Sequence, residues 1–413
     1  MFVNKFTLLL FIIFFLQDLN KKGFVISILK PLTIINLFLS VFFIIPMEVG
    51  LVFFSDYISV DFTTNFNKIS YLIFFLAIIL RFIDLRYSKF KVKNLESSKR
   101  IYNFSISFSI LLYISFISIL SIPLLFDVLN GNDLTSSAMK LRNGGAIKFF
   151  LLAFSESLPL IYLIYSKGKR GFVFYSITIL SSLFIILLGA RSLILSMILS
   201  ILLYFLSQKL IKSKHVISFG MIFLIVFSLT SLNRSGGSDF FGYLSRNIDQ
   251  LTNTAVVIEK IDSNEINYQY GGTLIDGIYF FIPSFIWNDK PKSYLPSRIV
   301  YPEMIKAGVE SDTKYTMNFG MIGRSYLELG IFGVILINCI MLYFFNKIFY
   351  NIYNNLFNSK FKMFVSIFIY SHIHQFLIIG PTSHIYSIYA FHTFIFITIM
   401  LITNTFYKIN TKG

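Results

Sequence analysis

Residues 326–345 read YLELGIFGVILINCIMLYFF and carry one charged side chain, Glu328, near their start. A helix needs about 20 mostly apolar residues to cross the hydrocarbon core of a bilayer, and this stretch meets that requirement. Apolar stretches recur along the chain at residues 32–54, 69–83, 101–126, 146–165, 172–188, 192–206, 216–232, 363–380 and 385–403. The pattern predicts an all-α polytopic membrane protein with ten transmembrane helices, or eleven if the short stretch 6–16 also crosses.

The interval just before this stretch, residues 233–325, is the long polar segment of a chain in which hydrophobic residues make up 55%. It divides the sequence into three parts that together form one membrane domain. Residues 1–232 hold transmembrane helices 1–8 with short loops, residues 233–325 form one large loop, and residues 326–413 hold three C-terminal transmembrane helices.

Two segments of the large loop are predicted to lie on or near the membrane. Apolar side chains spaced three and four residues apart predict an amphipathic helix whose stripe is Phe241, Leu244, Ile248, Leu251, Ala255 and Ile258. Arg246, Asp249 and Gln250 fall off that stripe. Residues 273–287 are apolar but interrupted by Asp276, Gly277 and Pro283, which predicts an interfacial or re-entrant segment with Trp287 at headgroup level.

The placement of the basic residues predicts the orientation. The net charge of the chain is +16. From Arg234 to Arg324, however, the sequence contains nine Lys or Arg and ten Asp or Glu, so the large loop is nearly neutral. The excess lies in every second loop, including Lys21, Lys22 and Lys30 in one of them and the run from Arg86 to Arg100 in another. The positive-inside rule then places the large loop in the periplasm and the C-terminus in the cytoplasm of a bacterial inner membrane. Nucleic acid is not an expected partner.

Five arginines are candidates for an anion site on the outward side. Arg191 lies in the turn Gly189-Ala190-Arg191-Ser192, where a cation at the membrane surface is costly without a partner. The others, in or at the end of the large loop, are Arg234, Arg246, Arg298 and Arg324. A planar guanidinium binds phosphate oxygens bidentately and stays charged, so a converging set suits a pyrophosphate. For any one of them alone, snorkelling or plain surface charge is an equally simple interpretation.

Titratable groups near the predicted membrane form a second set of candidates. Glu328 follows Arg324 by four residues, so the two share a helix face, either as a plain ion pair or as a base oriented by an arginine. His384 lies in a short outward turn from which it could reach the loop. Glu156, His372 and His374 lie at mid-span depth, where neutral histidine bonded to a neighbouring helix is common. The single cysteine, Cys339, and the lack of carboxylates at ligand spacing predict neither a disulfide nor a metal.

Three motifs resemble those of the O-antigen polymerase (Wzy) family. Residues 282–291, IPSFIWNDKP, are similar to its Pro–aromatic–Trp–x–x–Lys–Pro signature in the outer loop. Residues 318–333 resemble the segment by which that family re-enters the membrane, and the turn at Arg191 is similar to its Gly-x-Arg-Ser turn. The layout resembles the family over nearly the whole chain, although the Arg-x(10)-Gly pattern of some members is not met.

This resemblance implies a metal-independent, cofactor-free glycosyltransferase that joins undecaprenyl-pyrophosphate-linked repeat units into polysaccharide for lipopolysaccharide biosynthesis. Expected partners are these lipid-linked glycans and the bilayer, with a chain-length regulator and a flippase as protein partners. Arg298 and Arg324 are then expected in the catalytic site, with Glu328 or His384 as the base. Arg191, Arg234, Arg246, Trp287 and Lys290 are expected to bind substrate, with Arg191 on the pyrophosphate.

Two other functions share these features. A ligase of the O-antigen type uses the same lipid donor and a similar topology but transfers to a different acceptor. A flippase for lipid-linked oligosaccharides is a non-enzymatic alternative, but the long loop and the lack of an internal repeat argue against it.

Overall fold

The computed structural model describes residues 2–49, 62–87, 146–166, 168, 171–187, 191–214, 216–218, 250–273, 299–301, 319–357 and 359–379. Over these ranges the chain is helical and contains no strand, so the predicted all-α class is confirmed for the described part. By length and composition, four helices in these ranges can cross a membrane: Phe2–Lys22, Pro31–Glu48, Gly320–Tyr353 and Lys360–Ile378.

The helices are numbered here in chain order. Those of the first half are α1 (Phe2–Lys22), α2 (Phe24–Leu29), α3 (Pro31–Leu39), α4 (Ile45–Val49), α5 (Phe62–Tyr87), α6 (Ala146–Tyr165), α7 (Phe172–Leu187) and α8 (Arg191–Ser207). A π-helical segment, Ser40–Ile44, joins α3 to α4. The remaining helices are α9 (Gln250–Asp262), α10 (Gly320–Tyr353), α11 (Lys360–Ser371) and α12 (Ile373–Ile379).

Several predicted stretches match these helices closely. The stretch 146–165 coincides with α6, 172–188 extends one residue beyond the end of α7, and 192–206 is one residue shorter than α8 at each end. The stretch 6–16 is part of the 21-residue helix α1, which is long enough to cross a bilayer. The stretches 101–126 and 385–403, and nearly all of 216–232, lie outside the described residues.

The chain divides into two compact units. The first comprises residues 1–91, 238–349 and 373–387, and the second comprises residues 92–237, 350–372 and 388–413.

In the first unit, a buried cluster of four charges joins α1, α3 and α5. Lys30 is extended before Pro31, as expected of a residue that precedes proline, and this break separates α2 from α3. Its ammonium lies 2.8 Å from Asp18 and also pairs with Asp84, while Arg81 lies 2.9 Å from Asp18. All four side chains are at most 5% exposed. Lys30 was predicted to be a loop charge, and the structure corrects this: its charge is balanced inside the unit.

The opposite end of α5 contacts α9, which comes from the large loop. Asn65 donates a hydrogen bond to Glu259 at 3.0 Å, and Lys68 pairs with Asp262. The helix α9 is buried on nearly all sides, including Gln250 and Thr254. The predicted helix is therefore present over Gln250–Asp262, but the expectation that Gln250 faces away from the apolar contacts is wrong, because it is 0% exposed.

In the second unit, α6, α7, α8 and α11 pack together. Glu156 of α6 and His372, which caps α11, are both buried, with Oε1 and Nε2 2.9 Å apart. The other imidazole nitrogen, Nδ1, lies 2.9 Å from the carbonyl oxygen of Phe368, so it carries the proton and donates. His372 is thus paired with Glu156 within one unit.

Candidate functional site

The candidate site lies in the first unit, where α10 is broken. Leu329 (φ −145°, ψ 22°) and Gly330 (φ 61°, ψ −144°) leave the helical conformation, so residues 320–328 form a short helix before the longer one. Gly330 adopts a positive φ that a residue with a side chain rarely adopts. A side-chain carbon at Gly333 would overlap the carbonyl oxygen of Ser325. The two parts of α10 therefore fold tightly against each other, which the apolar pattern of residues 326–345 did not predict.

A segment of the large loop crosses this break. We call residues 263–273, which follow α9, the strap. A break in a helix leaves carbonyl groups without their usual N–H partners. Here N–H groups of the strap take the place of those partners. The backbone N–H of Gln269 donates to the carbonyl of Leu327, and that of Tyr270 to the carbonyl of Glu328, both at 3.0 Å. The large loop is thus attached by main-chain bonds to the broken helix.

Glu328 lies at the centre of this contact. Its side chain is 0% exposed, and Oε2 accepts a hydrogen bond from the backbone N–H of Gly271 at 2.7 Å. The N–H of Thr273 lies near enough to stabilise the carboxylate electrostatically. Within the ranges that the structure describes, Oε1 accepts no hydrogen bond. A buried carboxylate oxygen with unused acceptor capacity is costly, and such atoms are found at functional sites.

Arg324 lies one helical turn before Glu328 and contacts the same strap. It is 4% exposed, and Nη2 donates to the carbonyl oxygen of Thr273 at 3.1 Å. The prediction that Arg324 and Glu328 share a helix face agrees with this contact. Among the described residues the two side chains do not form a direct ion pair, but the guanidinium charge acts on the carboxylate through space. Both charged groups hold the strap where it leads into the segment with Trp287 and Lys290.

The helix α9 positions the short helix of α10. Thr254 donates a hydrogen bond to the carbonyl oxygen of Phe319 at 3.0 Å, and a side chain at Gly323 would clash with Thr254. Tyr301 donates to Asn253 at 2.8 Å, and its ring stacks on Phe319. Small residues on one helix and short polar side chains on the other allow this close approach. The helix α9 therefore holds the short helix of α10, which carries Arg324 and Glu328, in position.

Most of the other predicted site residues lie outside the described part of the chain. These are Arg234, Arg246, Trp287, Lys290, Arg298 and His384. Arg191 is the first residue of α8, in the second unit, and the structure describes its backbone but not its side chain. Of the nine predicted residues, the described structure brings together Arg324 and Glu328. The convergence of the arginines stays a prediction.

Sequence reasoning missed the strap and the buried charge cluster. Tyr268, Tyr270 and Gly271 lie in a polar stretch with no motif, so the signal was weak. Arg81 and Asp84 carried a stronger signal, because charges three residues apart at the end of an apolar stretch need partners from neighbouring helices.

No family model, no curated protein and no solved structure matches this chain. In the described ranges, the fold and the site define a class only: a helical protein with apolar helices long enough to cross a membrane and with a buried arginine and a buried glutamate beside a break in one of them.

Proposed function

We propose that this chain is a membrane-embedded glycosyltransferase of the O-antigen polymerase type. It joins oligosaccharide repeat units carried on undecaprenyl pyrophosphate at the periplasmic face of the bacterial inner membrane. The observation that carries the proposal is that Arg324 and Glu328, both buried on the short helix of α10, each bind the strap that crosses it. This pair falls inside the segment 318–333 that resembles the polymerase family, and the strap leads into the motif at residues 282–291.

The packing around α5 supports the proposed orientation. The basic loop residues predicted to be cytoplasmic follow one end of this helix, and the large loop contacts the other end through Asn65 and Lys68. This packing supports a candidate site on the side of the large loop, which is where a lipid-linked glycan would be presented after transfer across the membrane.

The reaction needs two kinds of help from the protein. The bond between the donor sugar's anomeric carbon and the pyrophosphate oxygen breaks, and its electron pair leaves with undecaprenyl pyrophosphate. Arginines such as Arg298, Arg191 and Arg324 stabilise the developing charge. A hydroxyl oxygen of the acceptor glycan bonds to the same carbon, and its proton passes to a base, Glu328 or His384. Because pyrophosphate leaves as a weakly basic anion, no general acid is required.

The buried site adds a constraint on the roles of the two residues. Oε2 of Glu328 is already bound by Gly271, whereas Oε1 retains its capacity to accept a proton. Arg324 donates to Thr273 and acts on Glu328 through space, so it orients the carboxylate and the strap together.

The test is the lipopolysaccharide banding pattern of a strain from which the gene is deleted. We expect the deletion strain to show lipid A core carrying one repeat unit, and we expect the wild-type gene to restore the ladder. Bare core alone in the deletion strain would contradict the proposal. The location of lipid-linked repeat units then separates the alternatives: accumulation outside the inner membrane indicates a ligase, and accumulation inside indicates a flippase.

A further inference from the structure

The strap carries an exposed aromatic side chain in an unusual backbone conformation. Tyr270 is 74% exposed and has φ 49°, in the left-handed region that side-chain-bearing residues rarely adopt. A strained residue is retained only where the surroundings enforce it, and such residues cluster at ligand sites. An exposed aromatic ring contributes little to folding, so burial does not account for Tyr270.

A backbone hydrogen bond and a neighbouring aromatic ring hold Tyr270 in place. The N–H of Tyr270 donates to the carbonyl of Glu328, and the next residue, Gly271, donates to the Glu328 carboxylate. The rings of Tyr268 and Tyr270 meet edge to face, with centroids 6.2 Å apart and planes at 70°. The Tyr268 hydroxyl occupies the space above Gly330, where a side chain would clash with it. The break in α10 therefore fixes Tyr268, and Tyr268 supports Tyr270.

The chemistry around Tyr270 suits a neutral ligand rich in hydroxyl groups. Residues 262–270 read DSNEINYQY and contain no Lys or Arg, and their two acidic residues pair with Lys68 and Lys260, so the stretch is close to neutral and offers no free cation for a phosphate group. Asn264, Glu265 and Asn267 are exposed beside the tyrosines and offer hydrogen-bond donors and acceptors. An aromatic face attracts the weakly positive C–H groups of a sugar ring, while amides and carboxylates bind its hydroxyls.

We propose that Tyr270, backed by Tyr268, is a stacking platform for a sugar ring of the lipid-linked glycan. This rests on the proposed function and adds to it a glycan-binding site on the strap. A second observation supports it: the strap residue next to Tyr270, Gly271, donates its N–H to the Glu328 carboxylate, whose other oxygen, Oε1, is buried and accepts no hydrogen bond within the described residues. Tyr270 therefore lies next in sequence to the residue that bonds the candidate base.

The test uses the full-length protein in nanodiscs with lipid-linked glycan extracted from the deletion strain. Steady-state polymerisation is measured for wild type and for Tyr270→Ala, Tyr270→Leu, Tyr270→Phe and Tyr270→Trp. We expect Ala and Leu to raise KM about three- to tenfold with kcat nearly unchanged, and Phe and Trp to stay within about twofold of wild type. The matched control is Tyr175→Leu, because Tyr175 is also an exposed tyrosine, at 54%, but lies on α7 in the second unit. It should leave KM unchanged.

The outcomes separate this proposal from its alternatives. A tyrosine that only anchors the strap at the membrane interface does not touch the sugar, so its replacement by leucine leaves binding of the lipid-free glycan unchanged. Normal binding of that glycan by Tyr270→Leu, or a normal KM for this variant, overturns the platform. Equal KM values for all variants overturn it as well. If wild type makes no polymer from the extracted glycan, the proposed function itself fails. Binding of the glycan released from its lipid by mild acid then still tests the platform, with three- to tenfold weaker binding expected for Tyr270→Ala and equal binding contradicting it.

Discussion

The carboxylate of Glu328 accepts a hydrogen bond from the backbone N–H of Gly271, 57 residues earlier in the chain, at 2.7 Å. Through this bond the start of α10 and the strap form one site. The neighbouring Arg324 makes the second connection, to the carbonyl of Thr273. Any change at either charged residue therefore also acts on the position of the strap.

The two roles of Glu328 are separable with Glu328→Gln. The amide oxygen of glutamine can still accept from Gly271, so we expect the protein to fold and insert at normal levels. The amide cannot take a proton, so polymer synthesis should fall by about 10²–10⁴-fold if Glu328 is the base. Polymerisation of extracted glycan in nanodiscs measures this. Near-normal synthesis would exclude Glu328 as the base. The variant His384→Ala would then test the other candidate base.

Arg324 and Glu328 should show strong coupling. Replacing Arg324 by Gln removes a nearby positive charge from the buried Glu328 carboxylate and changes the donor to Thr273, with an expected loss of about 1–3 kcal/mol in unfolding free energy. The double variant Arg324→Gln/Glu328→Gln should be less destabilised than the sum of the two single variants, because no charge is left buried. Unfolding in detergent measures all three. Additive losses would show that the two groups act independently on the strap.

Gly330 should not tolerate a side chain. Gly330→Ala places a carbon in a conformation that costs about 1–3 kcal/mol and against the hydroxyl of Tyr268. We expect a lower unfolding free energy and a loss of polymer synthesis, because the strap shifts. Gly171→Ala is the control, since a side-chain carbon there meets no atom within 4 Å. Equal stability of the two variants would mean that the break in α10 is not required.

The buried charge cluster should dominate the stability of the first unit. Lys30→Met removes one cation from a cluster with two carboxylates, and we expect a loss of about 3–5 kcal/mol. Adding Asp84→Asn should restore part of it. Lys68→Met breaks the exposed pair with Asp262 at the other end of α5 and should cost about 1 kcal/mol or less. Thermal unfolding of the purified protein compares them, and similar losses for Lys30 and Lys68 would contradict the assignment.

The arginines outside the described ranges are tested in cells. A plasmid carrying Arg191→Ala and Arg298→Ala together should fail to restore the lipopolysaccharide ladder, because each contact to the pyrophosphate is expected to contribute about 10²–10³ in rate. Membrane levels of the variant, measured by immunoblot, control for folding. A normal ladder at normal protein levels would remove both residues from the pyrophosphate site.

How much of the site was predictable differs from residue to residue. Arg324 and Glu328 were predicted because charges four residues apart at the end of an apolar stretch share a helix face. Tyr270 and Gly271 were not, because nothing in the local sequence indicates that their N–H groups bond to Glu328, which lies 57 residues beyond Gly271. The contact of the Tyr268 side chain with Gly330 is equally absent from the local pattern. Lys30 was assigned to a loop because it follows Lys21 and Lys22 in the alternating pattern of basic loops, and its carboxylate partners come from two other helices.

The sequence by itself determined the helical class, the apolar helices and several of their bounds, because these depend on composition and local spacing. The tertiary structure alone decided where α10 breaks, which carbonyls the strap binds, and which charges are buried together. The physical reason is range: hydrophobicity and helix periodicity act over neighbouring residues, whereas hydrogen bonds and buried ion pairs join groups that only the packed chain brings within 3 Å of one another.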